Sequence, residues 1–319
     1  MSASHYATPE ERKLFSVVVP IYKSELNVVD TVEYIHERRD MFPGYEMELI
    51  LVNDGSPDNS WQKMLEMQRK YPGFLRIASF TRNFGQSAAI NCGMTLAKGS
   101  VIGVISADLQ DPFELFGKML ELHEEGNELV YAKRQSREEK GLGGLASRLM
   151  HRLVHKFINR GYPTGGFDFF LVGRKLAKEY LAADRVPGGM QLLLLWFGYQ
   201  HAEIPYHRAE RKKGKSSWSV GKKFDAAFRW MTFFSPFLLR LLMPVGAIIV
   251  LLATVLLIVG GVVRSSDVAI AACVFIASGI VLMALGIVGE YLYRVLDFAR
   301  GLPRYVIRTV VDATGRETE

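Results

Sequence analysis

The residues best suited to chemistry form the segment 106–112, which reads Ser-Ala-Asp-Leu-Gln-Asp-Pro. Asp108 and Gln110 lie two residues apart just after an apolar run, so both side chains could point the same way. Carboxylate and amide oxygens bind Mg²⁺, which usually takes only one or two protein carboxylates. The segment therefore predicts a divalent-cation site that would stabilise a departing phosphate group. Taken alone, an aspartate after a strand is more often a turn former or a helix cap.

Short apolar runs in the first half of the chain have the composition of buried strands. These runs are 16–20, 47–52, 74–80, 101–105 and 128–132. Helical stretches are predicted at 28–39, 61–70 and 86–98, with another opened by Pro112; either Asp58 or Asn59 could cap the second. Strands alternating with helices predict an α/β fold with a doubly wound, mostly parallel sheet. Ligands of such sheets bind beyond the carboxyl ends of the strands, where the polar segments fall.

Two long segments, 241–263 and 268–289, contain no charged residue. Roughly 20 apolar residues in a helix cross the hydrocarbon core of a bilayer, so each segment is long enough to span it. Soluble helices rarely stay apolar on every face over such a length. The sequence therefore predicts a transmembrane helical hairpin whose short connection is residues 264–267.

The chain has a net charge of +6, and basic residues cluster on both sides of the predicted hairpin. Those before it are Lys212, Lys213, Lys215, Lys222, Lys223, Arg229 and Arg240, and those after it are Arg294, Arg300, Arg304 and Arg308. By the positive-inside rule, the N-terminal domain and both termini are predicted to lie on the cytoplasmic side of the cytoplasmic membrane. The same clustering favours membrane lipid over nucleic acid as the partner. Cys92 and Cys273 are too far apart in sequence to suggest a disulfide framework.

Two amphipathic segments complete the predicted organisation. Residues 145–159 separate apolar from basic side chains, which fits either an ordinary packed helix or one lying at the lipid headgroups. Residues 224–239 are rich in Phe and Trp, and they predict an interfacial helix that leads into the first span. The predicted domains are a cytoplasmic catalytic domain at 1–222, the interfacial helix at 223–240, the two spans within 241–290 and a cytoplasmic tail at 291–319.

Four segments follow one another in order: Val-Val-Val-Pro-Ile-Tyr at 17–22, Leu-Val-Asn-Asp-Gly-Ser at 51–56, Arg-Asn-Phe-Gly-Gln-Ser-Ala-Ala at 82–89, and segment 106–112. With the hairpin and Gly-Glu-Tyr-Leu-Tyr-Arg at 289–294, they make the chain resemble the family-2 inverting glycosyltransferases. The resemblance is greatest to the branch of dolichyl-phosphate mannose synthase and the bacterial polyprenyl-phosphate glycosyltransferases. It implies a GT-A-type fold that transfers a sugar from a nucleotide donor, with UDP-glucose as first choice, to a polyprenyl (undecaprenyl-type) phosphate.

The resemblance also implies roles for individual residues. The donor nucleotide would lie on Pro20, Tyr22, Glu25, Asp54, Ser106 and Ala107. Asp108 and Gln110 would hold Mg²⁺ or Mn²⁺, and Asp168 would sit with Asp108 at the catalytic centre. Three positions depart from the family pattern, because Ser106, Ser24 and Ser217 stand where aspartate, glutamate and lysine are usual.

Binding of the lipid phosphate or the donor diphosphate is assigned to basic residues. A planar guanidinium can hold two phosphate oxygens at once, so arginine suits this task. The candidates are Arg134, Arg137, Arg148, Arg208 and Arg211, together with Lys215 and Ser217. A purely structural role stays open for two acidic residues: Asp54 could cap a turn without contacting the nucleoside, and Asp168 could pair with Arg174.

The reaction implied is direct displacement at the anomeric carbon by the lipid phosphate, with inversion. An ionised phosphate needs positioning more than it needs a general base. Asp168 would orient a substrate or stabilise positive charge on the sugar ring. Expected partners are membrane lipid, a flippase acting downstream and a second copy of the chain. The alternatives are a catalytically silent nucleotide-binding scaffold, a transferase for another UDP-sugar, and a processive synthase. Processive synthases typically carry a Gln-x-x-Arg-Trp motif, and this chain has Arg229-Trp230 without the glutamine.

Overall fold

The computed structural model describes residues 13–134, 167–183, 189–206 and 303–318, together with scattered helical residues between Val274 and Val295. The strands are β1 (Lys13–Ile21), β2 (Tyr45–Asn53), β3 (Leu75–Phe80), β4 (Val101–Val104), β5 (Leu129–Arg134), β6 (Phe170–Gly173), β7 (His201–Tyr206), β8 (Ile307–Val311) and β9 (Glu317–Thr318). The helices are α1 (Val28–Glu37), α2 (Ser60–Lys70), α3 (Gln86–Leu96), α4 (Leu115–Glu124), α5 (Arg174–Ala183) and α6 (Met190–Trp196).

The described strands form one sheet in the order β7-β5-β6-β4-β1-β2-β3-β8-β9. β1 lies near its centre and pairs in parallel with β2 on one side and with β4 on the other. Phe15, Val17 and Val18 of β1 have no exposed surface, as expected for a parallel strand covered on both faces. Because β1, β2 and β4 run in the same direction, the loops that follow them all start from one edge of the sheet.

The predicted strands and intervening helices of the first half are confirmed, with small differences in their bounds. One helix starts later than predicted: Pro112 opens a turn in which its carbonyl oxygen accepts the Leu115 N–H at 3.0 Å, and α4 begins at Leu115. At the start of α2, Asn59 occupies the N-cap position but its side chain makes no capping hydrogen bond; the preceding Asp58 accepts the Ser60 N–H at Oδ1, 3.2 Å away.

The predicted α/β sheet is confirmed, but in the part of the chain that the structure describes it is mixed: β1 to β5 and β7 run in one direction, and two further strands oppose them. β6 lies antiparallel between β4 and β5, and β8 runs antiparallel to β3, so the sheet is mixed. β6 was not predicted; it has four residues, as β4 does, and a run this short does not show by periodicity whether it is a strand or part of a helix. Its insertion matters for the site, because Phe170 pairs with Val104 and Asp168 is thereby brought beside the carboxyl end of β4.

The segment predicted to be a C-terminal tail contains β8 and β9, which extend the sheet beyond β3. Phe80 at the end of β3 stacks on Tyr305, with ring centroids 4.9 Å apart. Next to this pair, the Thr81 N–H donates to the carbonyl oxygen of Val306 at 3.0 Å. The chain therefore returns to the same sheet after the segments that were predicted to span the membrane.

The chain divides into two compact units, one made of 1–144, 161–217 and 303–319 and the other of 145–160 and 218–302. The predicted span 241–263 and the amphipathic segments 145–159 and 224–239 lie outside the described residues. Within the predicted span 268–289, the residues described are helical, and Val274, Val281 and Leu285 are exposed. In the described parts of the chain, no helix combines the length and apolar character needed to cross a bilayer.

Candidate active site

Three loops at the carboxyl edge of the sheet hold several of the predicted site residues. Tyr22 follows β1, Asp54 follows β2 and Asp108 follows β4. Since β1 pairs in parallel with both β2 and β4, the three loops emerge side by side. The structure thus brings together residues that are widely separated in the sequence.

Ser106 is the centre of the loop that follows β4. Its Oγ lies 2.7 Å from Asp108 Oδ1 and 2.7 Å from Asp111 Oδ2, so the single hydroxyl hydrogen can be donated to either carboxylate. Leu109 has a φ of 53°, in the left-handed region, which folds the chain back on itself. The Gln110 N–H then donates to Asp108 Oδ1 at 3.3 Å. The loop is a tight turn built around two carboxylates.

This turn changes how the side chains of the loop are arranged. Strand alternation does not pair Asp108 with Gln110, because β4 ends at Val104 and the backbone turns at Leu109. Gln110 is only 6% exposed, whereas Asp108 is partly exposed. Asp111, which had no predicted role, is the side chain that shares the Ser106 hydroxyl with Asp108. The assignment of Gln110 as a metal ligand stays a prediction.

The oxygens around Ser106 fit a divalent cation that shares its coordination with a substrate phosphate. Mg²⁺ typically takes one or two protein carboxylates and completes its shell with water and phosphate oxygens. Asp108 and Asp111 supply two carboxylates within hydrogen-bond distance of one hydroxyl. Among the residues described, no group of three or more His, Cys, Asp or Glu side chains could hold a metal ion.

A hydrogen-bonded network connects this loop to Asp168. The Tyr206 hydroxyl donates to Asp111 Oδ1 at 2.6 Å and accepts a hydrogen bond from Arg134 Nε at 3.3 Å. Arg134 Nη2 donates in turn to Asp168 Oδ2 at 3.3 Å. The side chains of Arg134 and Asp168 are 41% and 48% exposed, so both reach solvent. Arg134, predicted to bind phosphate, and Asp168, predicted to lie at the reaction centre, therefore belong to one network with the loop after β4.

Asp168 does not pair with Arg174, so that alternative is wrong. Arg174 instead donates to backbone carbonyl oxygens, from Nε to Gly99 at 2.8 Å and from Nη2 to Ala97 at 2.8 Å. On the other side of Asp168, Gln191 Nε2 donates to Oδ1 at 3.2 Å. Both carboxylate oxygens of Asp168 thus accept hydrogen bonds from side chains that fix its orientation.

The loops after β1 and β2 are joined by acidic side chains. Asp58 Oδ2 accepts the Glu25 N–H at 3.2 Å, and Glu25 Oε1 accepts a hydrogen bond from Asn59 Nδ2 at 3.1 Å. Beside them, Tyr22 is 44% exposed, and Pro20 lies near the end of β1. An exposed tyrosine ring at this edge suits stacking on a nucleobase. The nucleoside roles of Pro20, Tyr22 and Glu25 stay predictions.

The carboxylate of Asp54 is bound by the backbone just before α3. Asp54 is 2% exposed, and its carboxylate accepts the Phe84 N–H at 2.7 Å and the Gly85 N–H at 3.0 Å. Burial raises the pKa of Asp54, while these two backbone hydrogen bonds oppose the shift. The geometry supports the turn-capping alternative, and contact between Asp54 and a nucleoside stays a prediction.

Known proteins identify the family of the chain. Residues 16–181 match the family model described as Glycosyl transferase family 2. The chain belongs to this family. The uncharacterized glycosyltransferase YkcC of Bacillus subtilis (strain 168) is 32% identical over 304 residues, which cover 92% of this chain and 93% of YkcC.

Two further relatives of this family-2 glycosyltransferase carry more specific names. The SfII prophage-derived bactoprenol glucosyl transferase of Shigella flexneri is 28% identical, over 92% of this chain and 97% of the relative. The undecaprenyl-phosphate 4-deoxy-4-formamido-L-arabinose transferase of Proteus mirabilis (strain HI4320) is 29% identical, over 96% of each chain. A mycobacterial protein of known crystal structure aligns with a TM-score of 0.51 and 18% identity, over 69% of this chain and 73% of that one, which shows the fold alone. The family resemblance and the GT-A-type α/β fold, with a mixed sheet, are confirmed.

Several residues predicted to bind phosphate in the transferase lie outside the described residues. They are Arg137, Arg148, Arg208, Arg211, Lys215 and Ser217. Arg134, by contrast, is described and belongs to the network around Tyr206. Ala107 is buried beside Ser106, and its carbonyl oxygen accepts a hydrogen bond from Thr31 Oγ1 at 2.9 Å.

Protonation states in the network follow from burial and neighbouring charge. Burial, followed by the charge of Asp111, raises the pKa of Tyr206, so its hydroxyl keeps its proton at neutral pH. Burial opposes the charged form of Arg134, but its hydrogen bond with Tyr206 and the charges of Asp168 and Asp111 raise its pKa overall. The transferase site therefore presents a protonated guanidinium between carboxylates.

Asp111, Tyr206 and Gln191 are site residues that sequence patterns did not indicate. Asp111 stands within segment 106–112, so its short distance from Asp108 along the chain is a usable signal. Tyr206 is 95 residues from Asp111, and no local pattern relates the two. Gln191 is likewise 23 residues from Asp168 and lies on a separate helix.

Asp58 should make the joined loops after β1 and β2 sensitive to acid. Burial alone would raise the pKa of Asp58, but hydrogen bonds from Ser56, Ser60 and the Glu25 N–H lower it. A carboxyl group with a lowered pKa contributes stability above its unfolded-state pKa of about 3.9, and this contribution is lost as pH falls through the folded-state value. We expect Asp58→Asn to melt below wild type at pH 7, and the two melting temperatures to converge as pH falls below about 3.9.

The matched control is Asp40→Asn, because the Asp40 side chain is 75% exposed. Its melting temperature should follow wild type at every pH. If the difference in melting temperature between Asp58→Asn and wild type stayed constant down to acid pH, the charge of Asp58 would not be what stabilises the loops.

Proposed function

We propose that this family-2 glycosyltransferase moves a sugar from a nucleotide diphosphate donor to a polyprenyl phosphate, with inversion at the anomeric carbon. The observation that carries the proposal is the network in which Asp108 and Arg134 lie at opposite ends, joined through Ser106, Asp111 and Tyr206. The Asp108 end suits the donor diphosphate with its cation, and the Arg134 end suits the phosphate of the acceptor. The names of two relatives, which refer to bactoprenol and to undecaprenyl phosphate, support this acceptor.

Arg134 forms the acceptor end of the proposed site. A lipid phosphate is already ionised at neutral pH, so its oxygen can attack without a general base. The exposed guanidinium of Arg134 can donate to phosphate oxygens and place them for attack. Asp168, whose Oδ2 lies 3.3 Å from Arg134 Nη2, holds this guanidinium in place. The same carboxylate is placed to orient the acceptor or to stabilise positive charge that develops on the sugar ring.

The loop around Ser106 forms the donor end. Ser106 occupies a position where the family usually has aspartate, but Asp111 supplies a second carboxylate next to Asp108. Mg²⁺ or Mn²⁺ bound at Asp108, with Asp111 and Gln110 as further candidate ligands, would neutralise charge on the departing nucleotide. UDP-glucose is the first donor to test, and other UDP-sugars stay open because the two relatives are named for different sugars.

We also propose that residues 241–263 and 268–289 form a membrane hairpin, with the catalytic unit and both termini on the cytoplasmic side. The support is topological: β7 precedes these segments, β8 follows them, and both belong to one sheet. A chain that leaves a sheet and returns to it must cross a bilayer an even number of times. The exposed apolar residues Val274, Val281 and Leu285 suit contact with lipid. A lipid acceptor has to be met at such a surface.

Replacing Asp108 with asparagine should abolish transfer while the chain stays folded, because the amide removes the charge that would bind the cation. We expect the rate to fall by about 100-fold or more, as when an electrostatic group is removed from an active site. The measurement is mass spectrometry of the glycolipid formed from undecaprenyl phosphate and a panel of UDP-sugars. Asp40→Asn, a change at an exposed carboxylate, should keep the wild-type rate.

The possible outcomes separate the alternatives. Full metal-dependent turnover by Asp108→Asn would remove the cation role from this residue. A wild-type chain that binds UDP yet forms no glycolipid with any sugar would instead support the catalytically silent scaffold.

Membrane topology can be tested by labelling single cysteines in a background where Cys92 and Cys273 are alanine. We expect Ser266→Cys, in the link between the predicted spans, to react with a membrane-impermeant maleimide in intact cells. Arg316→Cys, in the exposed turn before β9, should react only after the cells are opened. Labelling of Arg316→Cys in intact cells would place the catalytic unit on the outer side and contradict the proposal.

A further inference from the structure

The hydrophobic packing around Tyr206 accounts for its aromatic ring but not for its hydroxyl group. It is the last residue of β7 and is 6% exposed. Its ring lies 6.0 Å from that of Phe169, measured between centroids, so the ring is packed in the core. A phenylalanine would satisfy this packing. The hydroxyl must therefore be explained separately, since burying it without partners would cost free energy.

The partners of the hydroxyl belong to the two ends of the site. Tyr206 donates its hydrogen to Asp111 Oδ1 at 2.6 Å and accepts from Arg134 Nε at 3.3 Å. Arg134 and Tyr206 are register partners in the parallel pair β5–β7, which holds them side by side. Asp111 is hydrogen-bonded in turn to Ser106, in the loop proposed to hold the donor. Arg134 is hydrogen-bonded to Asp168, at the end proposed to hold the acceptor.

Displacement at an anomeric carbon needs the attacking oxygen at a set distance and angle from the bond that breaks. A misplacement of about 1 Å can slow a reaction about 100-fold. In this site the donor would be held by the Ser106 loop and the acceptor by Arg134. The hydroxyl of Tyr206 contacts both structures, so it can set the distance between them.

We propose that Tyr206 is a positioning residue that aligns the Arg134 guanidinium, and with it the lipid phosphate, against the donor held at the Ser106 loop. This inference rests on the proposed function. Tyr206 contacts neither substrate and transfers no proton, and it acts through Arg134. Its high pKa agrees with this role, because burial and the charge of Asp111 keep the hydroxyl protonated.

The test compares two tyrosine-to-phenylalanine changes in neighbouring strands of the full-length chain. Tyr206→Phe removes the hydroxyl and keeps the ring. Tyr131→Phe is the matched control, because Tyr131 on β5 is 2% exposed but its hydroxyl points to Glu203, at 3.5 Å, outside the network. UDP binding in the presence of Mn²⁺ is measured by calorimetry, and kcat/KM is measured for undecaprenyl phosphate.

We expect Tyr206→Phe to lower kcat/KM for the acceptor about tenfold, the effect of losing a hydrogen bond to a charged group. UDP affinity should stay within about twofold of wild type, because Asp108 and Ser106 are unchanged and the Ser106 hydroxyl still lies within hydrogen-bond distance of Asp111 Oδ2. Tyr131→Phe should resemble wild type in both measurements. A purely structural role for Tyr206 would lower UDP binding and acceptor use together.

A double-mutant cycle with Arg134→Lys tests whether Tyr206 acts through Arg134. Lysine has no Nε donor in the position that meets the phenol, so Tyr206→Phe should cost less than about twofold in that background. A full tenfold loss in the Arg134→Lys background, or acceptor use by Tyr206→Phe equal to wild type, would overturn the inference. An inactive wild type would overturn the proposed function itself, and the role assigned to Tyr206 with it.

Discussion

The buried carboxylate of Asp111 is the constraint on which the arrangement of the site depends. A charged group that is 3% exposed is stable in a protein interior only when hydrogen-bond donors surround it. In the described part of the chain, Ser106 in the same loop and Tyr206 at the end of β7 donate to it. The hydrogen bonds to Asp111 therefore connect the loop after β4 to the end of β7. Arg134, on the neighbouring strand β5, is held at the same edge of the sheet.

The elements that could be predicted from the sequence are those whose burial leaves a local pattern. β1 to β5 are runs of apolar residues, and their positions follow from that composition. β6 has four residues, and β7 is a terminal strand of the described sheet that alternates in exposure and contains Pro205. Neither was predicted, and the sheet was expected to be mostly parallel because the two antiparallel strands, β6 and β8, were not foreseen. The antiparallel insertion of β6 is a property of the tertiary structure.

The same limit explains which site residues could be found. Segment 106–112 indicated the loop after β4 as a candidate site because Asp108 and Gln110 carry oxygens that can bind a cation, but the left-handed backbone at Leu109 changes which side chains meet. Asp111 rather than Gln110 shares the serine hydroxyl with Asp108. Tyr206 could not be found at all, because its role depends on a contact across 95 residues that no local pattern encodes.

In the function proposed for this chain, one hydrogen-bonded network holds two phosphate sites at a fixed separation at the carboxyl edge of the sheet. The most direct test is a structure of the full-length chain with UDP, Mn²⁺ and a short-chain polyprenyl phosphate. We expect the ion to contact Asp108, the acceptor phosphate to lie on the guanidinium of Arg134, and the Tyr206 hydroxyl to remain between Asp111 and Arg134. An acceptor phosphate bound away from Arg134, or an ion that does not touch Asp108, would contradict this arrangement.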